Sequence, residues 1–410
     1  MAQAIDVTQA YSDQFARLRP DLPGEGDPRL ATLRADALSR FAAAGIPTPR
    51  LEDWKYTRFS ALLDAPFAPA PAVADGIDGA ALDALASGLA GAPRLVFVNG
   101  LLRADLSDLG GLPAGIAVET LGAAPSALAE ALEDGGADAL WSLNAALARD
   151  GAVVTVAKDT AIDRPLHILH LARPDAEAEA SHVRHLIRLE PGARATVVES
   201  HFGPDGTAYW SNIAGRVLLG RDARLTHYRQ QREGDGGLYR ESVRAVLEAG
   251  ATYESFALML GGAIARDEIA VRFAGEGASC ILDGVFLGRG GQHHDCTTRI
   301  DHAVPHCTSH ETYRGVLDDK AHGVFQGLIQ VAEQAQKTDA HMLSKTLLLS
   351  DRAAIDAKPE LEILADDVQC SHGATTGDLD AASLFFLRSR GLPEAVARAM
   401  LVEAFVAEMV

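Results

Sequence analysis

The stretch DDVQCSHGATTG, residues 366–377, places a cysteine and a histidine two residues apart, between a predicted strand and a turn rich in glycine and threonine. Because alternate residues of a strand point to the same side, Cys370 and His372 are predicted to share one face. A thiolate and an imidazole suit a transition metal, but two ligands make only half of a closed site. The pair is therefore interpreted as a candidate metal site whose other ligands come from elsewhere. The alternative is a half-buried thiol beside a hydrogen-bonded histidine.

A second group of possible metal ligands lies in HHDCTTRIDHAVPHCTSH, residues 293–310. Seven side chains in it are of types that bind transition metals: His293, His294, Cys296, His302, His306, Cys307 and His310. Their spacing matches no closed zinc site, and alternate residues of a strand point to opposite faces. The stretch is therefore interpreted as hydrogen-bonding surface, with direct metal or iron–sulfur contact as the alternative.

Composition and missing motifs exclude several classes of function. The formal net charge of −19 over 410 residues disfavours nucleic-acid and membrane partners, and no uncharged apolar run approaches the roughly 20 residues of a membrane span. The start MAQAIDVTQAYSDQFARLRP lacks the features of a secretory signal, so a cytoplasmic protein with reduced cysteines is expected. The sequence contains no Gly-Lys dipeptide and no G-x-S-x-G, H-E-x-x-H or C-x-x-C motif, which predicts that the chain is not an enzyme.

The spacing of apolar residues predicts helices first and strands later. Residues 1–60 have helical spacing, RLVFVNG indicates an early strand, and short alternating runs bounded by Gly, Asp or Pro begin at Gly151. Within these runs a Gly or Asp followed by Ala recurs at spacings of 30, 28 and 27 residues, at Gly192, Asp222, Gly250 and Gly277. A near-constant period in a strand-rich segment predicts stacked coils, a β-solenoid. The alternative is a β-sandwich meander with similar turns.

Two helices are predicted at the C-terminal end, in DLDAASLFFLRSRGLPEAVARAMLVEAFVAEMV. Gly391 and Pro393 separate them, and Asp380 or Ser383 is the candidate cap of the first. The second is apolar over much of its circumference, at Val396, Met400, Leu401, Val402, Phe405, Val406, Met409 and Val410. A helix with that much apolar surface is either buried within its own protein or docked on another.

Several motifs together resemble the SufB/SufD family, the scaffold proteins of the SUF iron–sulfur cluster assembly machinery. They are RLEDWKYT near the start and, densely from residue 293 to about 400, HHDCTTRIDHAVPH, YRGVLDDKAHGVFQG, AQKTDA, LLLSDRAAIDAKPELEI, ADDVQCSHGATTG and LFFLRSRGLP. Gly373 follows His372 where SufB-type chains tend to carry a glutamate. The sequence is therefore more similar to the SufD side of the family.

This resemblance implies a mainly β fold, a right-handed parallel β-helix with helical N- and C-terminal regions. The implied regions are a mostly helical part at 1–150, the β-helix core at 151–376, and a helical part at 377–410 that docks an ATPase. The resemblance also implies a non-catalytic scaffold that pairs through β-helix edges with a SufB-like paralogue and binds the ABC-type ATPase SufC. His372, and more weakly Cys370, would then help to build a nascent iron–sulfur cluster with a cysteine of SufB.

For cofactors, the resemblance implies a transient iron–sulfur cluster in the complex and none tightly bound in the isolated chain. Reduced flavin accompanies some assemblies of this family, although no residue here identifies a flavin site. The isolated chain is either a monomer or a homodimer. Two rival functions are a β-helix enzyme acting on acidic polysaccharide, which would need export and a basic cleft, and a stand-alone metal-binding protein, which would bind iron tightly by itself.

Overall fold

The computed structural model describes residues 6–73, 76, 77, 79–133, 138–162 and 164–409. Its α-helices are α1 Val7–Leu18, α2 Pro28–Ala44, α3 Ser60–Asp64, α4 Gly79–Leu85, α5 Pro125–Leu132, α6 Ala139–Leu147, α7 Ala381–Ser389 and α8 Glu394–Ala407. Short 3-10 turns lie at Arg19–Asp21, Glu52–Trp54, Ser87–Leu89, Ala104–Leu106 and Leu121–Ala123. The strands are β1 Ala68–Pro69, β2 Arg94–Val98, β3 Leu101–Leu102, β4 Ile116–Thr120, β5 Ala152–Val156, β6 Leu166–Leu171, β7 Glu179–Leu189, β8 Arg194–Phe202, β9 Tyr209–Leu219, β10 Arg224–Arg232, β11 Gly237–Leu247, β12 Thr252–Met259, β13 Ile264–Phe273, β14 Ser279–Gly288, β15 His293–His302, β16 Thr308–Leu317, β17 His322–Val331, β18 Asp339–Leu348, β19 Ala354–Ile363 and β20 Gln369–Gly377.

From β5 onwards, successive strands alternate between two sheets, and neighbouring strands in each sheet are parallel. The odd-numbered strands β5–β19 belong to the first sheet and the even-numbered strands β6–β20 to the second sheet. Each pair of consecutive strands forms one turn of a β-solenoid of about eight turns. The predicted mainly β solenoid with terminal helices is confirmed. The sandwich meander is wrong, because strands joined by hairpins would pair in antiparallel fashion.

Strands before residue 150 extend both sheets. β2, the strand predicted from RLVFVNG, pairs in parallel with β6, and β4 pairs in antiparallel fashion with β5. The helices of this part pack mainly on one another, α2 against α6 and α5, around a second apolar core that contains Phe41 and Leu143. The division of the chain into regions at residues 150 and 376 stays a prediction.

The recurring Gly and Asp residues form one corner of the solenoid. Their backbones are left-handed, with φ of 73°, 58°, 69° and 72° at Gly192, Asp222, Gly250 and Gly277. Glycine has no Cβ to oppose this conformation, and aspartate tolerates it better than most residues. The corner turns also stack, since the N–H of Asp222 donates to the Ala249 carbonyl of the next turn at 2.9 Å. The period in the sequence is therefore the length of one turn of the solenoid.

Alternate residues of each strand point into the solenoid. In β18 the buried ones are Ala340, Met342, Ser344 and Thr346. Because the pairing register is kept from turn to turn, residues at equivalent positions form columns along the interior. One such column contains Cys280, Ser309, Ala340 and Cys370.

The segment RLEDWKYT lies across the outer face of the first sheet. The ring of Trp54 covers the guanidinium of Arg266 in β13, 4.1 Å from the ring centroid, and Arg266 also donates to the Asp53 carbonyl at 2.7 Å. Glu52 pairs with Lys358 of β19 at 2.5 Å. This N-terminal motif therefore links the first part of the chain to solenoid turns that lie more than 200 residues later in the sequence.

Two C-terminal helices are present, as the sequence predicts. Asp380, one of the two candidate caps, accepts a hydrogen bond from the Ser383 N–H at 2.7 Å and starts α7. Gly391, with φ of 90°, and Pro393 separate α7 from α8. In the part of the chain that the structure describes, no helix is both long and apolar enough to cross a membrane.

Both C-terminal helices leave apolar side chains exposed. In α8, Ala397 alone is buried among the described residues, and Phe405 contacts the Arg314 side chain of β16. In α7, Phe385 and Phe386 are 75% and 56% exposed. The last of the predicted apolar positions, Val410, lies outside the described residues. Packing within the chain thus covers part of both helices and leaves Phe385 and Phe386 of α7 exposed.

Candidate functional site

The predicted pair, Cys370 and His372, lies on β20, the last strand of the second sheet. Cys370 pairs in register with Ala340, and His372 pairs with Met342. Both β18 residues are buried, at 0% and 2% exposure. Since residues paired in register point to the same side of a sheet, Cys370 and His372 both lie on the interior side. The prediction that they share one face is confirmed.

This end of the solenoid is open. Across the described residues, β19 and β20 pair only with β17 and β18, so no further turn covers the interior side of the last one. Cys370 is half-buried and packs against the apolar core, while His372 is exposed. Burial raises the pKa of the Cys370 thiol above its usual 9.0, and the Asp339 carboxylate raises it further. The thiol is therefore protonated near neutral pH, and a metal must displace that proton to bind.

Among the described residues, no third ligand joins this pair. Within the described ranges, neither Cys370 nor His372 belongs to a group of three potential metal ligands. Two nearby histidines lie on the outer face of the second sheet, His341 on β18 and His310 on β16. There the ring of His341 stacks on that of His310, with centroids 5.3 Å apart, and its Nδ1 lies 2.6 Å from the Ser371 hydroxyl. Cys370 and His372 thus lie side by side on the uncovered side of the last turn, one half-buried and the other exposed, and their metal-binding role stays a prediction.

The ligand-type residues of the 293–310 stretch are dispersed. His293 lies on the outer face, 2.8 Å from the Thr57 hydroxyl, whereas the buried His294 has its Nε2 3.0 Å from the Gly261 carbonyl. The interpretation of the stretch as surface is therefore wrong for part of it, because the residues that are buried include His294, Cys296, His302 and Cys307. As far as the chain is described, none of the seven belongs to a group of three potential ligands.

A group of ionisable side chains that the sequence analysis missed fills the interior near the other end of the solenoid. We call it the interior cluster, and it consists of His170, His185, Glu199, His201, Arg229 and Glu241. Each of these residues is at most 7% exposed. They come from β6, β7, β8, β10 and β11, which belong to four consecutive turns. The solenoid interior is therefore strongly charged in this part.

His170 contacts both of the other histidines of the interior cluster. His170 Nε2 and His185 Nε2 lie 3.2 Å apart, and the ring of His170 stacks on that of His201 with centroids at 4.6 Å. Burial, followed by the neighbouring histidines, lowers the pKa of His170 and His201 well below the usual 6.5. The two imidazoles are therefore neutral, and each keeps a nitrogen lone pair for a proton donor or a metal.

The acidic members surround a single guanidinium. Arg229 donates to Glu241 at 3.2 Å and to the neighbouring Asp267 at 2.9 Å. Glu199 has one oxygen 2.9 Å from His227 Nε2 and the other 3.8 Å from His201 Nε2. Burial raises the pKa of Glu199 and of Glu241 above the usual 4.5. The site thus combines imidazole nitrogens and carboxylate oxygens away from water, the donor set that borderline divalent metals prefer.

The repeat period could have revealed this cluster from the sequence. Glu199 follows Gly192 by seven residues and Arg229 follows Asp222 by seven, and the two pair in register. At an offset of nine residues, the period likewise predicts that His201 and Gln231 pair in register, as observed. Polar residues at interior offsets in consecutive repeats were therefore a usable signal.

Two protein-family models match the sequence. Residues 172–405 match the family model described as SUF system FeS cluster assembly, SufBD core domain, and residues 5–168 match the SufBD protein N-terminal region. The two matches together span the solenoid and the helices on either side of it.

Individual relatives agree with the family models. The chain is 32% identical over 378 residues to the iron–sulfur cluster assembly protein SufD of Escherichia coli, which covers 91% of this chain and 86% of the relative. It is 30% identical over 424 residues to an iron–sulfur cluster assembly SufBD family protein of Synechocystis, covering 100% and 93%. The SufD protein of Bacillus subtilis is 26% identical over 275 residues, covering 66% and 62%.

Proposed function

This chain belongs to the SufBD family of iron–sulfur cluster assembly proteins, and we propose that it is a non-catalytic scaffold subunit of the SufD type. Its proposed role is to offer one side of a shared surface on which a nascent iron–sulfur cluster is built. The observation that carries this proposal is the open last turn, where Cys370 and His372 lie on an uncovered interior side. The same family membership argues against an enzyme acting on acidic polysaccharide.

The proposed partner at the open end is a SufB-like paralogue. The outer edges of β19 and β20 carry backbone groups that no strand in the described part of the chain pairs with, and an unpaired edge is a template for another strand. A partner that continues the two sheets would cover Cys370 and His372 and bring its own ligands, including a cysteine. Because the pair supplies one sulfur and one nitrogen, the cluster needs the rest from the partner or from sulfide.

The C-terminal helices are the proposed docking surface for a SufC-like ABC-type ATPase. Phe385 and Phe386 of α7 and Met400 of α8 are each at least 45% exposed, and exposed apolar side chains on neighbouring helices are typical of an interface. The chain has no Gly-Lys dipeptide and hence no phosphate-binding loop of its own. Hydrolysis by a docked ATPase would shift these helices and, through Arg314, the strands that lead to β20. We further propose a cytoplasmic location.

The proposal is tested by anaerobic affinity purification of the tagged chain from its own cells, followed by native mass spectrometry. We expect co-purification of a SufB-like chain and an ABC-type ATPase. Recovery of the chain alone, as a monomer or a homodimer, would contradict the shared-surface role.

The residue test is His372→Ala, with His310→Ala as a matched control. Both side chains are exposed, and His310 lies on the outer face of the second sheet. We expect His372→Ala to lower the iron and acid-labile sulfide of the purified complex by about tenfold or more, since loss of one ligand costs at least what loss of its supporting partner costs. His310→Ala should leave the iron and the acid-labile sulfide unchanged. If both variants lost them equally, His372 would have no specific role in cluster assembly.

A further inference from the structure

The interior cluster carries more negative charge than its own cation balances. Together with Asp267 it contains three carboxylates, and Arg229 is the one Lys or Arg side chain that pairs with them among the described residues. Three carboxylates and one guanidinium leave two negative charges inside the solenoid when all are ionised. An uncompensated buried charge strongly destabilises the folded state, so protons or a cation must balance it.

Two side chains of the cluster face each other without bonding. His201 is 0% exposed, and neither of its ring nitrogens has a hydrogen-bond partner in the part of the chain that is described. Its Nε2 lies 3.8 Å from Glu199 Oε2, which is likewise without a partner there. Buried polar atoms are nearly always paired. Atoms at this separation are too far apart for a hydrogen bond and suitably spaced for a metal ion bound to both at about 2.0–2.2 Å.

Hydrogen bonds decide which other side chains can be ligands. The Ala152 N–H donates to His185 Nδ1 at 2.8 Å, so in the neutral ring the proton is on Nε2. His185 therefore donates from Nε2 to His170 and has no lone pair there for a metal. Glu241 accepts hydrogen bonds from Arg229 and from the Tyr239 hydroxyl at one oxygen, Oε2. Its carboxylate lies within 4.8 Å of the ligand atoms of Glu199 and His201.

We propose that Glu199, His201 and Glu241 bind one divalent transition metal of the Zn²⁺, Fe²⁺ or Mn²⁺ class inside the solenoid. Two carboxylates and one imidazole match the mixed oxygen and nitrogen ligation of these ions. The two positive charges balance the two negative charges that Arg229 leaves. His170, stacked on His201, and His185, bonded to His170, orient the imidazole ligand.

This metal is separate from the nascent cluster at the open end. Glu199 and His201 lie on β8, six strand-to-strand steps of the second sheet from β20, which is about 29 Å at ~4.8 Å a step. The proposal also departs from the expectation that the isolated chain holds no tightly bound cofactor. It does not depend on the scaffold role, because every ligand comes from this chain.

The first test is a Co²⁺ titration of the full-length chain, stripped of metal under anaerobic conditions and followed by visible absorption. We expect one equivalent to bind, and Zn²⁺ to displace it. Glu199→Gln and His201→Gln should each weaken binding by about 100-fold or more, because even a residue that only supports a ligand is worth 10–100-fold. The matched controls are Glu311→Gln and His302→Gln, which alter a buried carboxyl and a buried imidazole outside the cluster and should bind Co²⁺ as the parent does.

A second measurement uses the parent chain alone, so it remains valid even if the variants do not fold. X-ray absorption of the Zn²⁺-loaded parent chain should show nitrogen and oxygen ligands at about 2.0–2.2 Å with an imidazole contribution. A sulfur ligand at about 2.3 Å would assign the metal to a cysteine and overturn the proposal. The absence of stoichiometric metal binding would also overturn the proposal and would mean that protons balance the charge of the interior cluster. Equal Co²⁺ affinity in Glu199→Gln and the parent chain would overturn it as well.

Discussion

At the scale of single residues, the solenoid interior holds carboxyl groups that the folded protein keeps protonated. Glu311 of β16 is 2% exposed, accepts a hydrogen bond from the Thr298 hydroxyl at 2.5 Å, and has no partner for its other oxygen within the described residues. Burial raises the pKa of its carboxyl from the ordinary 4.5 to about 7. Between these two values the folded chain binds the proton and the unfolded chain releases it. The free energy of unfolding therefore falls as the pH rises through this window.

We expect Glu311→Gln to remove that pH dependence. The amide keeps the shape of the protonated acid and cannot ionise, so near pH 5 the variant should differ from the parent by about 1 kcal/mol or less. Near pH 8 the variant should be the more stable by up to about 3 kcal/mol, because a pKa shift of this size corresponds to that energy. The midpoints of urea unfolding at both pH values measure the effect. Parallel pH dependence in the two chains would mean that Glu311 is not protonated in the fold.

At the scale of elements, the stacking of one turn on the next depends on close backbone contact at the corners. Gly275 lies just after β13, and a Cβ built on it would be 2.0 Å from the backbone nitrogen of Ala249 in the preceding turn. Because the added Cβ would meet backbone atoms, a change of side-chain rotamer could not relieve the contact. The requirement for glycine here is thus set by the neighbouring turn rather than by the local conformation.

Gly275→Ala should therefore lower the free energy of unfolding by about 1–3 kcal/mol, the usual cost of overpacking. The matched control is Gly291→Ala, in the turn between β14 and β15, where no described atom lies within 4 Å of the added Cβ. That change should alter stability by about 0.5 kcal/mol or less. Urea unfolding compares the two, and equal effects would show that the neighbouring turn can shift.

The same elements show what could be predicted from the sequence and what could not. The corners were predictable because Gly192 and Asp222 repeat a local requirement for a left-handed backbone. The position of Cys370 and His372 on one face followed from strand periodicity. The interior cluster was missed because each strand contributes one or two of its members, and their proximity depends on the register between turns. The attachment of Trp54 to Arg266 joins residues far apart in the chain, which no local pattern encodes.

At the scale of the whole molecule, the two ends of the solenoid differ in how they are covered. At the N-terminal end, β2 and β4 continue the sheets, and Leu82 of α4 packs against β2. At the C-terminal end the sheets stop at β19 and β20. An exposed sheet edge invites pairing with another chain, and natural proteins usually protect it. The open end is therefore the side of the molecule at which assembly with another solenoid is expected.

Cysteine labelling tests this difference between the ends. Cys280, Cys296 and Cys307 are at most 1% exposed, whereas Cys370 is half-buried at the open end. In the isolated native chain we expect a thiol reagent to modify Cys370 alone. The rate should increase with pH, because the thiolate is the reactive form and the raised pKa of this thiol keeps it mostly protonated near neutral pH. In the purified complex the rate at Cys370 should fall by about tenfold or more, since a partner that continues the sheets covers it. Peptide mass spectrometry identifies the modified residue, and the three interior cysteines are the control for unfolding. An unchanged rate at Cys370 in the complex would show that the partner binds elsewhere, and the open end would then have another use.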